Sequence, residues 1–193
     1  MARITVVNNL TLDGVMQAPG RSDEDARDGF ERGGWAVPYN DPVMGQAMGE
    51  RMAQDTALLL GRRTYEDFAG FWPKQTDNPF TGLLNRVQKY VATRTLSEPL
   101  WENSTLLGGD ARDTVAALKS SSERDLVVLG SGELLGVLIG EGLVDEYLLL
   151  IHPLYLGSGR RMFPAGVSGE LALKDTLTTT TGVVIATYEA ASA

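Results

Sequence analysis

The chain predicts an α/β fold with a mostly parallel central sheet, closed at its C-terminal end by an antiparallel hairpin. Three observations carry this. Strand-like and helix-like segments alternate from residue 42 to residue 151, which calls for parallel pairing through crossover helices. A short apolar run at 56–60 ends at Gly61, the pattern of a buried strand. The tail holds two strand-like runs, around 171–179 and 183–189, on either side of a tight turn at Thr181-Gly182. At 193 residues and 20.8 kDa, with neither a linker nor an internal repeat, the chain reads as one domain over 1–193.

In order, residues 4–7 are β-branched and open the sheet, and a polar, Gly-containing stretch follows over 8–20. Residues 23–34 read as a loop or short exposed helix. Asp41-Pro42 offers an N-cap with proline at the first helical position. Val43, Ala47, Met48 and Met52 then recur at helical spacing, so 42–54 is an amphipathic helix. Thr64-Tyr65-Glu66-Asp67 reads as a capping box opening a helix to about Phe71. Further helices are expected at 78–85, 113–119 and 133–139, and strands at 90–92, 105–107, 126–129 and 146–151.

Composition excludes several functions. A net charge of −8 argues against non-specific binding to nucleic acid or acidic membranes, which needs surplus Lys and Arg. The absence of cysteine removes disulfides, thiolate zinc sites and thiol nucleophiles, and fits a reducing cytoplasm. The single histidine, His152, rules out a multi-histidine metal centre and reads as structural. No apolar run approaches the ~20 residues of a membrane span, and no targeting segment is read at the N-terminus.

In open parallel sheets ligands bind beyond the C-terminal strand ends, and three of these ends are unusual. Leu60-Gly61-Arg62-Arg63-Thr64 places a glycine and two arginines at a helix N-terminus, where backbone amides and the helix dipole favour an anion. Thr93-Arg94-Thr95 sets one guanidinium between two hydroxyls, which suits a phosphate monoester or an ordinary turn. Gly130-Ser131-Gly132-Glu133-Leu134 lets backbone approach a pyrophosphate closely. Glu133, in the first helical turn, would complement the dipole. The Rossmann fingerprint fails because Leu135 stands where its third glycine belongs, and the P-loop pattern is absent. Together the three ends point to a dinucleotide, and the arginines favour a 2′-phosphate, hence NADPH.

These motifs resemble the dihydrofolate reductase-like family, in the branch of the bacterial riboflavin-biosynthesis reductase domain. Thr11-Leu12-Asp13-Gly14, Gly33-Gly34-Trp35 with Pro38, and Leu60 through Glu66 are similar to that branch in order. So are Thr93-Arg94-Thr95, the 130–134 loop, Leu143-Val144-Asp145-Glu146 and residues 153–159. The resemblance implies a three-layer fold and an NADPH-dependent reductase acting on a C=N or C=O group of a small pterin- or ribosylaminopyrimidine-like substrate. It also implies a homodimer. By the same resemblance the starts at 62–64 and 130–134 would hold pyrophosphate, and Arg63 and Arg94 would reach the 2′-phosphate. Asp13, Gly14 and Met16 would line the nicotinamide pocket.

Trp35-Ala36-Val37-Pro38 is similar to the family's segment ahead of a pocket carboxylate, but Asn40 stands at the acid's place and Asp41 follows. Asp41 is a candidate proton donor or an N-cap. Trp35 is the aromatic expected over the substrate, whereas Trp72 and Trp101 read as core or interface residues. The displaced acid leaves open a second reading, a catalytically silent NADP(H)-binding or regulatory protein, and a third, a ligand-free dimeric scaffold. The cysteine-dependent zinc deaminase that accompanies this reductase in two-function proteins has no counterpart here.

Overall fold

The structure, a computed structural model, describes residues 1–53 and 55–191. Gln54, the expected end of the first helix, lies outside the described residues. The strands are β1 (Ile4–Thr11), β2 (Thr56–Gly61), β3 (Lys89–Thr93), β4 (Ser104–Gly108), β5 (Asp125–Leu129), β6 (Glu146–His152), β7 (Leu171–Thr178) and β8 (Val184–Ala190). The helices are α1 (Pro42–Ala53), α2 (Arg62–Phe71), α3 (Pro79–Arg86), α4 (Ala111–Ser121) and α5 (Gly132–Gly140).

One eight-stranded sheet runs in the order β4-β3-β2-β5-β1-β6-β8-β7. It is parallel from β4 to β6 and antiparallel across β6-β8-β7, as the sequence predicts. The central strands are apolar on both faces because helices cover both. Ala57 and Leu59 of β2 face one cluster with Leu134, Leu135 and Leu138 of α5 and Val115 of α4. Leu58 and Leu60 face the other, with Met44 of α1, Tyr65 of α2 and Leu84 of α3. That two-residue alternation divides the fold into three layers.

Several boundaries move for identifiable reasons. β1 continues to Thr11 because Asn8 to Thr11 pair in register with Leu149 to His152 of β6. The side-chain oxygen of half-buried Asn9 also accepts from His152 Nε2 at 2.9 Å. α2 starts at Arg62, straight from an extended Gly61, so Thr64 lies in the first turn and is no cap. α4 starts at Ala111 because Asp110 accepts the Arg112 amide at 2.9 Å, two residues before the expected start.

Lys89 is fully buried on β3. Its ammonium donates to the carbonyls of Asn85, Val87 and Glu102 and lies over the Trp101 ring. Burial pulls its pKa down to about 8. Residues 12–41 form the long excursion before α1, with 3-10 turns at Arg27–Gly29 and Val37–Tyr39. Within it Phe30, Trp35 and Ala36 are buried and pack with Val15 and Ala18 into a separate apolar cluster. The expected loop at 23–34 is thus partly core. No helix among the described residues is long and apolar enough to cross a membrane.

Candidate active site

β3, β2 and β5 are parallel neighbours, so the chain leaves all three on one edge of the sheet. After β5 the path turns through Gly130 at φ +58° and Ser131 at φ +64°. A left-handed non-glycine residue is costly and must be held by its surroundings. Here Ser131 Oγ accepts the Gly61 amide at 3.0 Å and donates to the Leu129 carbonyl at 3.1 Å. The Ser131 amide donates to Thr64 Oγ1 at 3.1 Å. The hydroxyl of Thr64 therefore holds the second loop, which explains its place inside the first turn of α2.

Neither α2 nor α5 has a side-chain cap. Their first-turn amides thus lack side-chain acceptors beside a shared cavity of about 340 Å³. Arg62, Arg63, Thr93, Arg94 and Thr95 line that cavity together with Ser131 to Leu134. The three strand ends singled out in the sequence come together. Arg62 pairs with Glu66 at 2.8 Å along its own helix. Arg63 pairs with Glu133 at 2.8 Å, and Arg94 is exposed, without an ion pair among the described residues. Thr93 Oγ1 accepts the amides of Thr95 and Leu96, fixing the turn that carries Arg94.

Glu133 does more than complement the dipole. Its Oε1 also takes Arg27 at 2.9 Å and lies 3.6 Å from Arg160, tying three loops together at the mouth of the cavity.

A second cavity of about 1110 Å³ adjoins the first. Arg27, Arg63, Thr64, Ser131 and Gly132 line both, so the two form one continuous cleft. Met16 lines the larger part. A Cβ on Gly132 would come 3.3 Å from Met16 Sδ, so a larger residue there would have to push the thioether aside by a few tenths of an ångström.

Other expected residues stand elsewhere. Asp13 and Gly14 line neither cavity. Asp13 takes the Thr11 hydroxyl at 2.6 Å and the amides of Leu156 and Gly157 at 3.1 and 2.8 Å. Those donors, the hydroxyl first, hold its carboxyl down to about 2, so it anchors two loops as an anion. Trp35 does not lie over the cavity either. Its indole nitrogen donates to the Gln17 carbonyl at 2.7 Å and its ring packs edge-on to His152.

Asp41 borders the large cavity but is fully engaged. One oxygen caps α1 through the Val43 amide at 2.8 Å, and the other takes the hydroxyl and amide of Thr180. The Thr180 hydroxyl, then the Val43 amide, hold its carboxyl below the usual carboxylate range. That is a capping anion, the opposite of an acid poised to donate.

Sequence reasoning missed Glu24, Asp67 and an aromatic wall. Glu24 and Asp67 both border the large cavity. Glu24 Oε2 accepts the amides of Gly20 and Arg21 at 2.7 and 3.1 Å, while burial, helped by Asp67, pushes its carboxyl up. Phe68, Phe71, Trp72 and Phe80 line the same space. The i, i+3, i+4 spacing of Phe68, Phe71 and Trp72 was visible as one helix face. Nothing local marked that face as a cavity wall.

Three layers, a mostly parallel sheet and an antiparallel C-terminal hairpin make this a dihydrofolate reductase-like fold, with uncapped helix starts and arginines gathered at neighbouring strand ends. The chain belongs to the RibD C-terminal domain family, whose model matches residues 2–186. Uncharacterized protein YyaP of Bacillus subtilis (strain 168) is 30% identical over 172 residues, covering 83% of this chain and 88% of the relative. A putative riboflavin biosynthesis protein from Shewanella sp. PV-4 has TM-score 0.68 at 19% identity, with both chains fully covered. Dihydrofolate reductase from Enterococcus faecalis, complexed with NADP(H) and RAB-propyl, has TM-score 0.66 at 15% identity over 98% of this chain and 97% of that one.

Proposed function

We propose that this protein is an NADPH-dependent reductase of a small heterocyclic substrate, delivering hydride to a C=N or C=O group. One observation carries the reading: two uncapped helix starts and four arginines share a cavity that opens into a larger, apolar-walled one. The donor set fits a dinucleotide, with amides for a pyrophosphate and guanidiniums for a further phosphate. A structural relative carrying NADP(H) supports the same reading.

In this proposal the starts of α2 and α5, Gly61 to Thr64 and Gly130 to Leu134, hold the pyrophosphate. Arg63 and Arg94, with the hydroxyls of Thr93 and Thr95, hold the 2′-phosphate. When bound, NADPH supplies the hydride, and the chain supplies alignment and exclusion of water. Met16 shapes the junction between the two cavities. The Asp13-Gly14 turn and Trp35 set the course of the 12–41 segment from behind. Glu24, whose carboxyl burial favours in the protonated form, is the cavity group placed to carry a proton. The chain works as one domain in the cytoplasm on a small molecule, with no nucleic acid or membrane partner. It pairs as a homodimer, for which the exposed Leu173, Leu177 and Val184 of the terminal hairpin offer apolar surface.

The test is cofactor titration, followed by NADPH fluorescence. Arg63→Ala is expected to weaken NADPH by about tenfold or more and NADH far less, a charge-assisted hydrogen bond being worth about 1.5–3 kcal/mol. Equal losses for both cofactors would refute the phosphate assignment.

A further inference from the structure

The large cavity has a definite charge pattern. Apart from Arg63, which the reading above gives to the cofactor, three arginines border it, and each already has an acidic partner. Arg21 is paired with Asp67 and with Asp23 at 3.4 Å, and Arg27 with Asp25 at 2.5 Å and with Glu133. Arg160 is paired with Asp28 at 2.9 Å and lies near Glu133. Arg21 is further fixed by stacking, with its guanidinium carbon 4.4 Å from the Phe71 ring centre.

The carboxylates on the wall are Glu24, Asp25, Asp41 and Asp67. Asp25, Asp41 and Asp67 are occupied by Arg27, by Thr180 with the α1 start, and by Arg21. Glu24 faces no cationic hydrogen-bond donor and keeps one oxygen without a hydrogen bond among the described residues. The rest of the wall includes an apolar set: Met44, Met48, Phe68, Phe71, Trp72 and Phe80. Its aromatic rings are only half-buried, so they keep apolar surface open to the cavity.

We propose that this cavity takes an uncharged, flat, largely apolar ring molecule and rejects anionic ones, phosphorylated sugars included. This rests on reading the cavity as the substrate half of the reductase cleft. An anion entering there meets cations that are already neutralised and a carboxyl group that offers no attraction. It must shed its water without a new counter-charge, and that cost is not recovered. A neutral ring gives up only its own apolar hydration and gains the aromatic and thioether wall. Glu24 is left to accept or share one hydrogen bond from the ring.

Two fluorescent probes share one ring skeleton and differ by one fixed charge: N-phenyl-1-naphthylamine, and 8-anilino-1-naphthalenesulfonate. Titrated at pH 7 into the full chain, the neutral probe is expected to bind about tenfold or more tightly than the sulfonate, an unpaired ion being costly to desolvate. Energy transfer from tryptophan should accompany binding. Trp72→Leu and Phe80→Ser should each weaken the neutral probe, with far-ultraviolet circular dichroism confirming the fold. Asp67→Asn releases Arg21 from its nearest carboxylate and should tighten the sulfonate while leaving the neutral probe unchanged.

Equal or stronger sulfonate binding by the wild type overturns the proposal. So does a preference untouched by Asp67→Asn, or the absence of any probe binding. NADPH affinity is measured separately in the same samples. Its loss with probe discrimination intact would remove the reductase reading alone, whereas lost discrimination with NADPH binding intact removes this inference alone.

Discussion

Gly61 donates its amide to Oγ of Ser131 at 3.0 Å, joining the last residue of β2 to the turn after β5. Through this bond and its return, from the Ser131 amide to Thr64, two helix starts separated by about 70 residues in sequence are fixed to each other. Ser131→Ala is expected to weaken NADPH about tenfold and to cost about 1–2 kcal/mol of stability. The hydroxyl serves two backbone partners, and the left-handed backbone loses its restraint. Chemical denaturation read alongside cofactor titration checks both. A variant with wild-type affinity would show that the two loops are positioned independently.

Glu133 stands at the cavity mouth as the anionic partner of Arg27 and Arg63. A phosphate arriving there competes with it. Glu133→Gln should therefore tighten NADPH by about three- to tenfold, since an exposed pair is worth up to about 1 kcal/mol. The gain should shrink at high salt. Weaker binding in this variant would mean that the carboxylate positions the arginines for the cofactor.

His152 is fully buried, its ring set between Trp35 and Tyr39, and burial pulls its pKa down to about 4. The unfolded chain takes up a proton near pH 6.5 while the folded ring stays neutral. The stabilisation is therefore full above pH 6.5 and is lost as pH falls toward 4. It amounts to about 3 kcal/mol by linkage. Asp13 adds a separate loss below about pH 4, because its carboxylate must be protonated there. Denaturant melts across pH 4–7 should show the slope in the wild type and a flatter one in His152→Gln. Equal slopes would contradict the assignment.

The fold and the gathering of three strand ends at the smaller end of the cleft were legible because their signals are local. Gly61 with two arginines, Thr93-Arg94-Thr95 and Gly130-Ser131-Gly132 each announce a strand end within five residues, and parallel pairing brings such ends to one edge. Asp41 before Pro42 carried two readings, and the contacts to Val43 and Thr180 supply the cap. The larger end was not legible, because much of its wall is assembled from the 16–45 segment, α2 and α3. Glu24 lies in a charged loop whose pattern says only "solvated". Its carboxylate instead turns back onto the Gly20 and Arg21 amides. Trp35 misled for the same reason: a tryptophan among glycines looks free, but its N–H found the Gln17 carbonyl inside a small core.

The central claim is that the Arg63 and Arg94 side chains grip a 2′-phosphate at the 340 Å³ end of the cleft. Phosphorus-31 spectra of NADPH bound to the protein, recorded from pH 5 to 8, read that contact on the ligand atom itself. Free, the ester gives up its second proton near pH 6, about the usual second phosphate pKa. Bound, its midpoint should fall by about one unit or more, as for an acid beside guanidinium groups, and Arg94→Ala should bring much of that shift back. A bound resonance that titrates like the free cofactor would contradict the account.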